Sequence, residues 1–365
     1  MEQTRTTPET FVGVGYTRDR AGLPLEAVRV PVPRPAADQV LIRVAASSLN
    51  PLEYKLADLN FMGRTPPVVL GFDLAGVVAG VGRDVDRVAV GDAVAAMADL
   101  NGDGGWAATG GGYAVARQFL TVRKPPSLGF RDAAALPMCF LSAFAGLYGS
   151  VRADDTVYIP GGGGGVGHLA VQLATRVLGA RTVISSGGRP ESIALARRSG
   201  AHEVFDYRRD DIAAEIAKLT GGRGADLVFD TTYSERSFAE TARTVRRGGR
   251  WIVLGVGPGR TTRLAETHSP VAAILAERGA EQVIVNLLRY FSEPATLDGE
   301  ARDFLQRGMD LAMEWAERGL VVPHVSRTID STVEAISAGL RSLKAGGRVL
   351  GKIAVIVDRD LAAGR

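Results

Sequence analysis

The sequence has little cysteine and no long apolar run. Its single cysteine, Cys139, can form neither an internal disulfide nor a cysteine cluster for a metal. The longest apolar stretch, residues 68–81, contains Asp73 and is shorter than the ~20 residues that a membrane-spanning helix needs. The polar N-terminus lacks the apolar core of a signal peptide. We therefore expect a cytoplasmic protein with no membrane partner.

An excess of charge of one sign is also missing. The 43 Lys and Arg residues nearly balance the 40 Asp and Glu residues, and the net charge is +3. A binding surface for nucleic acid is therefore not indicated. The length of 365 residues is about twice the ~100–200 residues of one domain, and 46% of the residues are hydrophobic. The chain is long and apolar enough for two globular domains.

Glycine, in contrast, is abundant, with 45 residues, and the pattern around the glycines changes along the chain. Up to about Leu120, short β-type runs are separated by Gly and Pro, and little helical period is visible. From about Asp132, strands alternate with amphipathic helices, which is typical of a parallel sheet with crossover helices. A long helix over residues 298–318 and two further β-type runs follow. We predict that the two ends of the chain form one domain and that the α/β part is inserted between them.

Six strands are predicted in the α/β part, the number that a complete dinucleotide-binding fold needs. They are Asp155–Pro160, Arg181–Ser186, Glu203–Phe205, Asp226–Asp230, Arg250–Gly255 and Gln282–Leu287. The β-type runs of the outer parts are Gln39–Ala46, Val68–Val81, Asp92–Ala96, Phe119–Val122, Val321–Arg327 and Val349–Val357.

A glycine-rich turn follows the first of the six strands. Gly162, Gly164 and Gly167 satisfy G-x-G-x-x-G, and Gly165 and Val166 lead into a helix with one apolar face. A backbone without Cβ atoms can approach a pyrophosphate, and the helix N-terminus offers unpaired N–H groups. The alternative is a flexible glycine loop. The strand, the motif, the helix and the second strand follow in order and favour dinucleotide binding.

The end of the second strand indicates which dinucleotide binds. NAD sites place Asp or Glu there for the ribose 2′-hydroxyl, whereas this chain runs through Ser186 and two glycines to Arg189. The hydroxyl of Ser186 and the guanidinium of Arg189 suit a 2′-phosphate, and Tyr207 lies just beyond the third strand at the same end. The sequence therefore predicts NADPH. The alternatives are a solvated Arg189 and a core Tyr207.

Six motifs occur in the order seen in the medium-chain dehydrogenase/reductase superfamily. They are Asn50–Lys55 (NPLEYK), Val69–Val78 (VLGFDLAGVV), Val90–Val94 (VGDAV), the glycine turn, Ala225–Asp230 (ADLVFD) and Gly351–Ile353 (GKI). Over residues 11–357 the chain resembles the zinc-independent quinone oxidoreductase and enone or enoyl reductase branch of that superfamily.

The resemblance implies an α/β fold in which a Rossmann domain is inserted in a GroES-like β-barrel catalytic domain. The catalytic domain would comprise residues 1–126 and 292–365, and the Rossmann NADPH-binding domain residues 127–291. The active site would lie in the cleft between them. Family members are commonly homodimers through the last Rossmann strand, here Gln282–Leu287.

A catalytic zinc is not expected. Zinc-dependent relatives have Cys at the position that resembles Asn50, and Gly-His-Glu where this chain has Gly-Phe-Asp at residues 71–73. Asn50 and Phe72 supply neither the thiolate nor the imidazole that zinc takes in tetrahedral sites. The histidines show no ligand spacing; they are His168, His202, His268 and His324. Alcohol dehydrogenase chemistry is therefore not expected either.

Without a metal, the accessible reaction is hydride transfer to a quinone or to the β-carbon of an enone. The developing oxyanion needs donors, and Asn50, Tyr54 and Lys55 are the candidates because the corresponding family segment lines the cleft. Asn50 could bond the cofactor ribose or the substrate carbonyl, and Tyr54 or Lys55 could orient the oxyanion or relay a proton. The alternative is a surface ion pair between Glu53 and Lys55, with Tyr54 as a cleft wall.

Three further segments carry candidate residues. Ser142 lies where relatives often have Thr near the nicotinamide, although it could instead be a helix N-cap. Gly255 and Asn286, at the ends of the last two Rossmann strands, are further expected cofactor contacts, with Tyr290 as an alternative to Asn286. The glycine-rich segment 99–112, which includes Trp106, is either a lid or a connector.

One departure from the family concerns the proton. Mitochondrial-type enoyl thioester reductases have a proton-donating Tyr at the position that resembles Phe61, and phenylalanine has no ionisable hydrogen. This favours a quinone, an enone or a specialised biosynthetic substrate, and we expect an NADPH-dependent quinone or enone reductase. The alternative is a trans-acting enoyl reductase, or an NADPH-binding partner of a biosynthetic assembly line without turnover of its own.

Overall fold

The computed structural model describes residues 7–99, 112–232, 235–255, 270–287, 297–347 and 349–364. Within these ranges, sixteen strands form three sheets. The strands are β1 Thr10–Tyr16, β2 Glu26–Pro31, β3 Gln39–Ser48, β4 Val68–Val69, β5 Asp73–Val81, β6 Ala93–Met97, β7 Tyr113–Arg117, β8 Thr121–Arg123, β9 Thr156–Pro160, β10 Thr182–Gly187, β11 Glu203–Asp206, β12 Ala225–Asp230, β13 Val245–Leu254, β14 Glu281–Val285, β15 Val325–Asp330 and β16 Lys352–Ile356.

The α-helices of the same ranges connect or cover these strands. They are α1 Pro51–Leu59, α2 Phe130–Ala133, α3 Pro137–Leu147, α4 Gly165–Gln172, α5 Pro190–Arg198, α6 Ile212–Leu219, α7 Glu235–Ala242, α8 Pro270–Arg278, α9 Gly299–Glu317, α10 Val333–Lys344 and α11 Arg359–Ala362. A π-helical turn, Leu173–Val177, continues α4. Among the helices described, none combines the length and the apolar character needed to cross a membrane.

The chain divides into two compact units. The first contains residues 1–138, 291–317 and 325–365, and the second contains residues 139–290 and 318–324. Helix α2, which was predicted to belong to the Rossmann domain, belongs to the first unit because it packs on β3, β5 and β16. The second unit takes residues 318–324, which return to it after α9. These compact units and the predicted domains thus differ in their bounds at both places.

The first unit is built around antiparallel strands from both ends of the chain. Strand β16 pairs with β3, where Ala354 lies opposite Ser48, so the two ends meet in one sheet. The strand order of that sheet is β15-β16-β3-β5-β6-β8, with β7 also on β3, and β2-β1-β4 form a smaller sheet. Alternate residues of β3, Val40, Ile42 and Val44, are buried in the core.

Four predictions for the first unit are corrected by the structure. The run Val68–Val81 is two strands, because residues 70–72 pass from the small sheet to the large one: the Leu70 N–H bonds Val14, and the Phe72 carbonyl accepts from Ala98. A 3-10 turn occupies the start of Phe119–Val122, and β15 begins only at Val325. Helix α1 lies in a region that shows little helical period.

The second unit contains a six-stranded parallel sheet in the order β11-β10-β9-β12-β13-β14. In chain order within the unit this is 3-2-1-4-5-6, the doubly wound order of dinucleotide-binding domains. The predicted Rossmann fold is therefore confirmed, and each of the six predicted strands has an observed counterpart. The order reverses between β9 and β12, and ligands of such sheets bind at the carboxyl ends of the strands beside that point.

Candidate functional site

The glycine turn connects β9 to α4 at the carboxyl edge of the parallel sheet. Gly161 has φ +74°, a left-handed value that favours glycine, and Gly164 is the N-cap of α4. A Cβ on Gly162 would lie 2.2 Å from the Ser185 Oγ, and a Cβ on Gly167 would lie 2.2 Å from the Gly161 carbonyl oxygen. These approaches leave no room for side chains at Gly162 and Gly167.

The same turn fits the pyrophosphate of a dinucleotide. The first residues of α4, Gly165, Val166 and Gly167, have N–H groups with no acceptor inside their own helix. These groups, the positive end of the helix dipole and the space that a Cβ would fill form a cradle for an anion. The predicted turn residues are therefore brought together in one place.

At the end of β10, Ser186 and Arg189 have different surroundings. Ser186 is buried, and its Oγ lies 2.9 Å from the Tyr158 hydroxyl, whose pKa is raised by burial. The Ser186 hydroxyl therefore faces the neutral phenol of Tyr158 inside the fold. Arg189 is the half-buried N-cap of α5, and its backbone N–H donates to the Ser192 Oγ (3.2 Å).

Tyr207 lies against the glycine that precedes Arg189. Its side chain is 55% exposed, and a Cβ on Gly188 would come within 2.4 Å of the ring atom Cζ. The ring therefore needs glycine at position 188 to lie where it does. A cavity of about 550 Å³ adjoins this contact, and its wall includes Gly188, Ile193, Arg197, Asp206, Arg208 and Asp210. The wall beside the predicted adenosine end thus carries charges of both signs.

The ends of β13 and β14 bring two further predicted residues together. The N–H of Gly255 donates to the Val285 carbonyl (2.7 Å), and a Cβ on Gly255 would lie 3.3 Å from the Asn286 Cβ. Asn286 is exposed at this edge. Ser142 is buried in α3, and because that helix begins at Pro137, the alternative of an N-cap role for Ser142 is wrong.

Sequence reasoning missed the role of His168 in the second unit. Its buried ring places Nδ1 2.8 Å from the Gly164 carbonyl oxygen, and Nε2 accepts from the His324 N–H (3.0 Å). These partners require a neutral ring with the hydrogen on Nδ1. One turn further, Gln172 exchanges two hydrogen bonds with the backbone of Val322 (2.7 and 2.9 Å). Residues 318–324 are therefore fastened to the helix that begins at the glycine turn.

In the first unit, the three predicted catalytic residues lie at the start of α1. Asn50 is the N-cap, Pro51 occupies the first helical position, and Asn50 is buried. Tyr54 and Lys55 follow in the first turns and are half-buried. The amide of Asn50 is engaged on both sides, because Lys352 Nζ donates to its Oδ1 (2.6 Å) and its Nδ2 donates to Asp73 Oδ2 (3.0 Å).

Asp73 is the centre of this polar array. Its buried carboxylate accepts four hydrogen bonds: from Lys352 Nζ (3.0 Å), the Ser48 Oγ (3.0 Å), the Asn50 Nδ2 (3.0 Å) and the Met138 N–H (2.8 Å). The side chains of Lys352 and Asp73 are 2% and 0% exposed, so this ion pair lies out of water. Its charges are compensated inside the protein, as a buried pair requires.

Glu53 is a member of the same array, although the sequence left open the alternative of a surface ion pair between Glu53 and Lys55. It is fully buried, which contradicts a surface ion pair with Lys55. Its Oε2 accepts from the Asn50 N–H (2.8 Å), whereas Oε1 has no hydrogen-bond partner among the described residues. Burial raises the pKa of Glu53 to about 8, even though the nearby Lys352 acts to lower it. Burial therefore favours the neutral form of this carboxyl group.

Several predicted features lie outside the described residues. They are the segment 100–111 with Trp106, His268, Tyr290 and the chain that follows Tyr290 up to residue 296.

Comparisons with known proteins agree with both parts of this description. The family model for the alcohol dehydrogenase GroES-like domain matches residues 36–125, and that for zinc-binding dehydrogenase matches residues 165–279. The human quinone oxidoreductase is 31% identical over 230 residues, 62% of this chain and 67% of that protein. The Arabidopsis thaliana chloroplast envelope quinone oxidoreductase homolog is 36% identical over 214 residues, 56% of this chain and 62% of that protein.

Among solved structures, an alcohol dehydrogenase superfamily protein from Novosphingobium aromaticivorans superimposes with a TM-score of 0.80 at 30% identity. The superposition covers 96% of this chain and 100% of the other. The chain belongs to the medium-chain dehydrogenase/reductase superfamily, in its quinone oxidoreductase branch. It is therefore an oxidoreductase of this superfamily, and its dinucleotide-binding domain indicates a nicotinamide cofactor.

The family model named for zinc-binding dehydrogenases raises the question of whether this member can hold zinc. At the positions that resemble the zinc ligands, Phe72 has no donor atom and is fully buried. The Asn50 oxygen is occupied by the ammonium of Lys352, a cation that repels a second cation at that distance. In the described part of the chain, no group of three or more His, Cys, Asp or Glu side chains could hold a metal ion. These residues do not fit a zinc site of this superfamily.

Proposed function

We propose that this protein is an NADPH-dependent, metal-free reductase of quinones or of the activated C=C bond of α,β-unsaturated carbonyl compounds. The array of Asn50, Asp73 and Lys352 carries the proposal, because it puts an amide and a buried ion pair where zinc-dependent relatives have metal ligands. A fixed ammonium does not supply the open coordination position by which zinc activates an alcohol. The substrates that remain are electron acceptors, such as quinones and enones, whose reduction needs no metal.

In this proposal, different residues of the second unit bind different parts of the cofactor. The glycine turn from Gly162 to Gly167 holds the pyrophosphate, and Ser142, Gly255 and Asn286 hold the nicotinamide end. Ser186, Arg189 and Tyr207 hold the adenosine end, where no carboxylate stands at the end of β10. When bound, the nicotinamide supplies a hydride. We also propose a homodimer through β14, which is the last strand in the order of the described sheet.

The residues of the first unit act on the substrate. Asn50 presents a fixed amide, and Tyr54 and Lys55 are the half-buried donors nearest to it in the chain. Their task is to stabilise the oxyanion that develops on a quinone or enone oxygen and to deliver a proton to it. Phe61 cannot share this task because its ring has no ionisable hydrogen.

The deciding experiment is turnover by the purified protein. We expect loss of NADPH absorbance with at least one member of a panel of quinones, simple enones and acyl thioesters, and no stoichiometric zinc by metal analysis. Reaction only with acyl thioesters would favour a trans-acting enoyl reductase. Tight NADPH binding without any turnover would favour the binding partner of an assembly line, and bound zinc would refute the metal-free reaction.

The preference for NADPH is tested at Arg189. We expect Arg189→Ala to weaken NADPH by about tenfold or more, because a charged hydrogen bond contributes ~1.5–3 kcal/mol, and to leave NADH almost unchanged. Titration calorimetry with both cofactors measures the two dissociation constants. Arg181→Ala is the matched control, since this exposed arginine precedes the other end of β10. Equal losses for NADPH and NADH at Arg189 would contradict a 2′-phosphate contact.

A further inference from the structure

The polar array around Asn50 contains three ionisable groups, although an ion pair needs only two. Asp73 accepts four hydrogen bonds and pairs with Lys352 at 3.0 Å, so these two charges compensate each other. Glu53 is fully buried beside them, and its Oε1 has no donor within reach among the described residues. The third group is therefore the one whose charge the fold does not balance.

Charge balance makes the proton on Glu53 decide where the ammonium of Lys352 lies. With Glu53 neutral, the array holds one positive and one negative charge, and Lys352 can also donate to the neutral Asn50 oxygen at 2.6 Å. With Glu53 ionised, two buried carboxylates compete for one ammonium. A carboxylate attracts an ammonium more strongly than an amide oxygen does, above all in a low-dielectric interior.

We propose that Glu53 and Lys352 are positioning residues for Asn50. The protonated carboxyl group of Glu53 leaves the Lys352 ammonium on the Asn50 amide and holds that amide in one orientation. Loss of the Glu53 proton draws the ammonium toward Glu53 and removes its hydrogen bond to the Asn50 Oδ1, so that the amide is held on its Nδ2 side alone. Part of this proposal rests on the proposed function, because it is there that Asn50 contacts the substrate.

The charged groups around Glu53 are consistent with this control. Lys352 of β16 lowers the pKa of Glu53 and Asp73 of β5 raises it, but burial is the larger cause. Helix α10 packs on α1 and carries Glu334, Arg341 and Lys344. Lys344 pairs with Asp58 (2.7 Å), at the far end of α1 from Glu53. The charge of the array is therefore set mainly by the proton on Glu53 and less by charged groups on neighbouring helices.

Selective ¹⁵N labelling of asparagine tests, without any substrate, whether the proton on Glu53 controls the Asn50 amide. The chain has four asparagines, so the Asn50 side-chain amide can be assigned by replacing Asn60, Asn101 and Asn286 in turn. Between pH 6 and 9.5 we expect its resonances to shift in a single transition near pH 8, where the pKa of Glu53 lies. Glu53→Gln should remove the transition. Glu334→Gln should keep it, because Glu334 also lies in the first turn of its helix, α10, but is exposed.

Urea unfolding gives a second readout that does not depend on turnover. The folded protein keeps a proton on Glu53 that the unfolded chain releases, because the pKa is raised from 4.5 to about 8. This contribution to stability is complete below the lower value and is lost as the pH rises through the higher one. Relative to Glu53→Gln, the unfolding equilibrium constant of the natural protein should therefore rise by up to ~tenfold per pH unit between about 5 and 8.

Two results would overturn the proposal. The first is an Asn50 amide whose shift stays constant from pH 6 to 9.5, and the second is a transition that survives in Glu53→Gln. If the protein reduces a quinone or an enone, kcat/KM should fall above pH 8 in the natural protein and in Glu334→Gln, and should lose this fall in Glu53→Gln. Failure to find an accepted substrate would count against the proposed function. The amide titration would still show whether Glu53 and Lys352 position Asn50.

Discussion

Replacing Lys352 with methionine is expected to destabilise the protein by about 3–5 kcal/mol, because the change leaves the carboxylate of Asp73 buried without its cation. Methionine keeps an unbranched chain in the same space, so packing changes little. The ammonium and the carboxylate are 3.0 Å apart and almost fully buried, so no solvent can take over the role of Lys352. Urea unfolding at pH 7 measures the loss.

Two comparisons isolate the buried charge in that experiment. Lys344→Met removes a half-exposed partner of Asp58, and we expect it to cost less than ~1 kcal/mol, as surface pairs do. Adding Asp73→Asn to Lys352→Met removes the uncompensated charge and should recover part of the lost stability. A loss below ~1 kcal/mol in Lys352→Met would show that the buried ion pair contributes little to the free energy of unfolding.

Gly167→Ala is expected to weaken dinucleotide binding by about 10–100-fold. The new Cβ would lie 2.2 Å from the carbonyl oxygen of Gly161, and this contact is with backbone, so the turn itself must move. Overpacking of this kind costs about 1–3 kcal/mol, and 1.4 kcal/mol corresponds to tenfold in the dissociation constant. Titration of NADPH fluorescence with the purified variant measures the change.

Gly129→Ala is the control for the glycine turn. Gly129 is the N-cap of α2 with φ −69°, and a Cβ there meets nothing within 4 Å. We expect its NADPH affinity to equal that of the natural protein. An unchanged affinity in Gly167→Ala would mean that the pyrophosphate does not bind at this turn.

The dinucleotide half of the fold could be read from the sequence because its signals are local. A strand, a glycine turn and an amphipathic helix follow one another within residues 155–177, and their order predicts a tight turn that opens a helix, as observed at the start of α4. The strand order of the sheet then follows from the known arrangement of such folds. Nothing in that region needs a contact with a distant residue to be recognised.

The polar array around Asn50 could not be read in the same way. Lys352 and Asp73 are 279 residues apart, and neither neighbourhood says that the two side chains meet. Glu53 was open to prediction, because Asn at the N-cap, Pro at the first position and Glu at the third form a helix-start pattern. That pattern predicts α1 and turns the carboxyl of Glu53 back to the Asn50 N–H. Its burial depends on β5 and β16, which only the fold reveals.

The pairing of β16 with β3 also has a consequence for synthesis on the ribosome. All six strands of the parallel sheet leave the ribosome before Lys352 does, so that sheet can assemble while the first unit is still incomplete. Until the last strand arrives, Asp73 has no ammonium partner and β3 lacks one neighbour. Because domains generally fold as units during synthesis, we expect the inserted unit to fold before the first unit is complete.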